Sequence, residues 1–232
     1  MKIDRRRKGR SLNTAPASQP AAREGRRSFM KSAMAATAAP AAVAALSTST
    51  ARAANPNYIP TLYRGWNAKN FTDIRSDENA HVDYLVNALG TAARPKPTFQ
   101  NLIQPNAQAF ARVSQALENT GVGAYLGALP LIQSTAYLGA AGSIALIEAR
   151  HAGYLNTLLN DSITVNALGE KNSFEQALTP EKVVELAGPF FLDLNGGPPL
   201  LPLMNDVDIL NFALALEYLE AEFYNINVPR FF

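Results

Sequence analysis

Cysteine is absent from the 232 residues, and histidine occurs only twice. Without cysteine there is no disulfide framework, so stability has to come from a packed core or a bound ion. Long apolar runs are also missing. The nearest, an alanine-rich stretch from Ser32 to about Leu46, contains Thr37 and Pro40 and falls short of the roughly 20 strongly apolar residues of a membrane span. No segment alternates apolar and polar residues as a half-buried strand would. The body of the chain lacks positive charge too. Eleven of the 21 basic residues precede residue 54, with only two of the 19 acidic ones, leaving ten basic against seventeen acidic from residue 54 onward. That net charge of −7 gives no support to nucleic-acid binding and suits the attraction of cations.

The basic excess belongs to the first 53 residues. Arg26-Arg27-Ser28-Phe29-Met30-Lys31 is followed by the weakly apolar stretch and then by Ala51-Arg52-Ala53, a small-x-small cleavage signature at Ala51 and Ala53. This resembles the leaders of the twin-arginine export route, with Met30 where the pattern has leucine. The resemblance implies a signal peptide over 1–53, handling by the twin-arginine export machinery, and a periplasmic or other extracytoplasmic location for a protein exported already folded.

From residue 54 about 180 residues remain, enough to bury one core. Four stretches read as helices: Phe71 to Leu89, Ala107 to Leu129 with Pro130 as a stop, Ala136 to Leu159, and Asp206 to Asn225, where Asp206 and Asp208 suit a helix N-terminus. Residues 54–70 read as an irregular lead-in and 227–232 as a tail. The proline-bearing segment 90–106 and the longer segment 160–205 read as crossovers, the latter with a short helix at Pro180 to Ala187. The fold class is all-α, a four-helix bundle within 71–226.

Both histidines follow a glutamate by three residues, in Glu78-Asn79-Ala80-His81 and Glu148-Ala149-Arg150-His151. That spacing puts carboxylate and imidazole on one helix face. Each pair lies within an apolar stripe, the first with Phe71, Ile74, Val82 and Leu85, the second with Ala141, Ile144, Ala152 and Leu155. One such pair alone is most simply a solvated or satisfied ion pair. Two, using every histidine in the chain and both facing the core, demand compensation, because burying an unpaired carboxylate costs several kcal/mol. A divalent metal supplies it, and this donor set suits iron, manganese or zinc. A two-metal site needs a carboxylate from each remaining helix. Glu118 is the only acid of the second helix, seven residues before Tyr125. Glu217 stands seven before Tyr224 in the stripe Leu210, Leu214, Ala221. Glu220, in line with Ala213, Leu216 and Phe223, is an alternative ligand; Glu222 reads as solvated. Tyr125 and Tyr224 suit either core packing or hydrogen bonds to the ligand carboxylates.

These segments, together with Asp77 to Val82, Leu117 to Tyr125, Ile147 to Ala152 and Ile209 to Tyr224, resemble the ferritin-like superfamily, and more narrowly the bacterial ferritin-like proteins related to desiccation-associated proteins. In that family the helix resembling Asp208 to Tyr224 comes first; here it is last, so the order resembles a circular permutation. A crossover closing it onto the bundle must span about 30 Å for 20 helical residues, which residues 160–205 can do at roughly 3.3 Å per extended residue.

The resemblance implies a di-metal centre, iron first and manganese second. Glu78 and Glu148 would bridge, His81 and His151 would each cap one ion, and Glu118 and Glu217 would complete the two ends. Dioxygen or peroxide would be the reacting partner, in ferrous oxidation or peroxide consumption. The other reading is a non-catalytic exported bundle with a structural metal or none and a protective role. No catalytic residue follows from the sequence, and it leaves a homo-oligomer open.

Overall fold

The computed structural model describes residues 55–232, so Arg26, Arg27, Ala51 and Ala53 of the expected leader lie outside the described residues. Among the described residues five α-helices follow one another: α1 (Trp66–Leu89), α2 (Ala107–Ala128), α3 (Thr135–Leu158), α4 (Pro180–Ala187) and α5 (Asp206–Phe231). The long ones form the bundle. α2 and α3 are joined through the 3-10 turn Leu129–Leu131 and pack as a hairpin. α1 lies antiparallel to α5: Asn79 pairs with Asn225 towards one end, while Leu85 and Leu89 meet Leu210 and Leu214 towards the other. No helix among the described residues is long and apolar enough to cross a membrane.

Helix starts follow local chemistry. Asn106, Ser134 and Asn205 each accept a hydrogen bond from the backbone N–H three residues on, closing α2, α3 and α5. The cap of α5 is therefore Asn205, neither Asp206 nor Asp208. The Asp206 carboxylate instead accepts the N–H groups of Gln133 and Ser134, tying the start of α5 to the entry of α3. Asp208 accepts the Met204 N–H.

Two helices are longer than their sequence patterns indicate. α1 begins at Trp66 within the expected lead-in, because Trp66 packs edge-on against Tyr154 at 5.3 Å and Asn67 bridges Pro60 O and the Tyr154 hydroxyl. α5 continues through Pro229 to Phe231, taking up residues expected as a tail. Proline forfeits one hydrogen bond there, but the extension buries Val228 and brings Phe232 onto Phe71, ring centroids 4.9 Å apart.

The crossovers clasp each other. A short antiparallel ladder, which no alternation in the sequence announced, joins β1 (Thr98–Phe99) to β2 (Phe191–Asp193). Buried Arg94 donates to Asn211 O on α5 and to Pro198 O in the second crossover. That crossover also docks on α2 where two glycines permit it. Leu178 N–H donates to Gly123 O, and a Cβ at Gly127 would lie 2.1 Å from Leu178 O.

The core divides by chemistry. An aromatic end holds Phe71, Phe110 and Phe223, with Phe110 centred 4.8 Å from Phe71 and 5.5 Å from Phe223. Aliphatic clusters around Ile144 and Ile209 and around Leu85 and Leu214 form apart from it.

Gly127→Ala should destabilise the fold by about 1–3 kcal/mol, since the methyl meets backbone that cannot step aside. Gly139→Ala, with open space around its Cβ, should instead gain up to ~1 kcal/mol from helix propensity. Urea denaturation of the two variants should give midpoint shifts of opposite sign; equal shifts would contradict the docking of the crossover on α2.

Candidate metal centre

Each bundle helix delivers acid to the interior. Glu78, Glu118, Glu148 and Glu217 are all 0% exposed, and Glu220 is 3% exposed. The reason is register: on α1, residues 71, 74, 78, 81 and 85 form one buried line, and on α3 residues 141, 144, 148, 151, 152 and 155 form another. Among the described residues no lysine or arginine pairs with these five carboxylates, and the cationic groups beside them are the two imidazoles.

The imidazoles share Glu78. His81 Nδ1 lies 3.2 Å from Glu78 Oε2, 3.3 Å from Glu148 Oε1 and 3.2 Å from Glu217 Oε2. His151 Nδ1 lies 3.0 Å from Glu78 Oε1 and 3.2 Å from Glu118 Oε2. Two overlapping donor groups result, one of Glu78, Glu118, Glu148 and His151, the other of Glu78, His81, Glu148 and Glu217, the donor atoms of each within 4.8 Å of one another. Glu78 and Glu148 belong to both. The remaining four residues divide two and two.

The tyrosines cross between helices. Tyr125 on α2 donates its hydroxyl to Glu217 Oε1 on α5, and Tyr224 on α5 donates to Glu118 Oε1 on α2, both at 2.5 Å. Each end glutamate thereby spends one oxygen on a tyrosine and turns the other towards an imidazole. Burial first, and then the neighbouring glutamate, raises both phenol pKa values well above the ordinary range, so both remain donors.

Electrostatics make the cluster costly as it stands. Burial, then repulsion from Glu118, pushes the Glu78 carboxyl up to about 7. Burial and then Glu78 drive Glu148 well upward; burial and then Glu118 do the same for Glu220. Burial alone would lower the histidines, but the surrounding carboxylates override it: Glu217 and Glu78 raise His81 to about 10, and Glu118 and Glu78 raise His151 to about 11. Even so, Glu78 Oε1, both Glu148 oxygens and Glu217 Oε2 are buried without a hydrogen bond; the nearby imidazole nitrogens are off-line for one. Two divalent cations would match the four carboxylates of the donor groups in charge and occupy those orphaned oxygens, with imidazole and carboxylate as fitting ligands.

The sequence patterns picked out Glu78, His81, Glu118, Glu148, His151 and Glu217, and the fold brings all six together. Glu220 is buried beside them but belongs to neither donor group. Glu222 pairs with Lys96 on the outside. Two contributors carried no signal. Asp77 adjoins Glu78 and so points off its face, yet it reaches His151 Nε2 at 3.1 Å. Gly121 leaves room for a carboxylate: a Cβ there would sit 2.8 Å from Glu148 Oε2.

A family model described as the ferritin-like domain matches residues 28–161 and 205–231. The chain belongs to the ferritin-like domain family. The match covers α1, α2, α3 and α5, omits most of the second crossover, and begins at Ser28 inside the expected leader. No curated protein and no solved structure matches. A ferritin-like bundle with a buried cluster of carboxylates and histidines is compatible with metal binding.

The metal-free protein should lose stability as pH rises. Glu78 binds its proton more tightly folded than unfolded, so its contribution is full below about 4.5 and lost through about 7; those of the histidines are full below about 6.5 and lost through about 10 to 11. Bound metal replaces these protons, so the gap in Tm between loaded and metal-free protein should widen from pH 5 to pH 8. A metal-free Tm that climbs over that range would contradict this. Gly121→Ala should leave the far-UV spectrum intact but displace the Glu148 carboxylate, lowering metal content measured by mass spectrometry at least several-fold.

Proposed function

We propose that this ferritin-like protein is exported and holds a pair of iron or manganese ions in a carboxylate centre that reacts with dioxygen or peroxide. One observation carries the reading: four glutamates and two histidines from four helices meet in a buried interior with four carboxylate oxygens left without a hydrogen bond. Glu78 and Glu148 would hold both ions, Glu118 with His151 one of them, and Glu217 with His81 the other. Iron or manganese there would supply a change of oxidation state, in ferrous oxidation or peroxide consumption.

This chain's residues prepare the site. Tyr125 and Tyr224 fix the end glutamates, and the aromatic packing around Phe71, Phe110 and Phe223 excludes water on one side. Export by the twin-arginine route would deliver the folded bundle outside the cytoplasm. The position of α5 at the end of the chain, when the related helix comes first in the relatives it resembles, we read as a circular permutation.

A second reading has its own support. The glutamates are wholly enclosed and two of them are fastened by tyrosine, as befits a closed structural site in a protective, desiccation-related bundle. Metal analysis and turnover separate the two. Mature protein isolated from the periplasm should contain about two equivalents of iron or manganese, and His81→Ala combined with His151→Ala should lose them while the helices persist. Two equivalents with neither ferrous oxidation nor peroxide consumption would favour the structural reading. A preparation free of transition metal would overturn the di-metal centre itself.

A further inference from the structure

The two ends of the centre are built on one plan. Exchanging α1 with α3 and α5 with α2 exchanges His81 with His151, Glu217 with Glu118, and Tyr125 with Tyr224. In each set the histidine meets the end glutamate and that glutamate accepts a tyrosine hydroxyl, although His81 also meets Glu78 of its own helix whereas His151 makes no such contact with Glu148. What lies behind the imidazoles is not exchanged. His151 Nε2 meets Asp77 Oδ2 at 3.1 Å. His81 makes all its polar contacts through Nδ1, and its Nε2 meets no carboxylate among the described residues. The sequence supplies the cause. Asp77 precedes Glu78 on α1, whereas the residue preceding Glu148 on α3 is Ile147.

We propose that Asp77 is a positioning residue that makes the two metal positions unequal, so that the one served by Glu118 and His151 binds a divalent ion more tightly and fills first. This rests on the di-metal reading above. An imidazole that offers the Nδ1 lone pair to a metal carries its proton on Nε2. Asp77 accepts that N–H, which fixes the tautomer and the ring plane and raises the donor strength of Nδ1. His81, 11% exposed at its side chain, has no such anchor. Loss of an anchor of this kind typically weakens metal affinity by about 10–100-fold. With one equivalent of metal, ions therefore sit singly at the Asp77-backed position; coupled pairs form only as the second equivalent enters.

Asp77 is suited to a test because its side chain is 48% exposed and its replacement leaves the packed core alone. Mn(II) is titrated into the metal-free full chain, followed by calorimetry and by electron paramagnetic resonance. Wild type should bind in two resolved steps, with the hyperfine pattern of isolated Mn(II) at one equivalent and loss of that pattern by spin coupling at two. Asp77→Asn should weaken the tighter step about 10-fold or more while leaving the weaker one nearly unchanged, so that the steps merge. Asp77→Glu should restore part of the separation. Ile147→Asp, which places a carboxylate at the counterpart position, should tighten the weaker step. The proposal is overturned if wild type forms coupled pairs from the first additions, or if Asp77→Asn shifts both steps equally or neither. Failure of wild type to bind Mn(II) at all would instead sink the di-metal reading, and this inference with it.

Discussion

Carboxylates forced together out of water set the terms for the rest of the molecule. Five glutamates share one interior with two imidazoles, and an effective desolvation penalty of several kcal/mol per ion attaches to each charge that stays unneutralised. A cluster of this kind persists only if the surrounding packing holds the helices in place and if protons or metal ions balance the charge. Both provisions are visible. Aromatic and aliphatic clusters grip the bundle outside the acidic layer, and the raised pKa values record how strongly the site recruits protons when nothing else is bound.

The same constraint accounts for details outside the donor groups. Gly121 is small because a methyl there would meet Glu148. The tyrosines sit seven residues beyond their own helix's glutamate, two turns on, which sets each beside the facing helix's glutamate. The two crossovers lie beside α5 and are tied to each other by the β1–β2 ladder and through Arg94. α5 is consequently enclosed on nearly every side at Ile209 to Phe212 and Leu214 to Glu217, as α2 is from Leu117 to Tyr125.

Helix number, helix type and the line of core residues were legible because the apolar residues recur at the helical period, and the end of α2 because Pro130 stops it. The limits of α1 and α5 were less legible. Trp66 and Phe231 join their helices through packing on Tyr154 and Phe110, partners remote in the chain. The short ladder leaves no pattern in the sequence for a related reason: its strands are two and three residues long and exist only because the crossovers meet.

By itself the sequence put Glu78, His81, Glu118, Glu148, His151 and both Glu217 and Glu220 on inward-facing lines, since placement of a polar side chain within an apolar stripe is a property of one helix and its period. Tertiary structure alone decided which oxygen faces which nitrogen, that each tyrosine serves the opposite helix, and that Asp77 reaches across to the histidine of another helix. Those are distances between helices, and nothing in the spacing along a single helix encodes them.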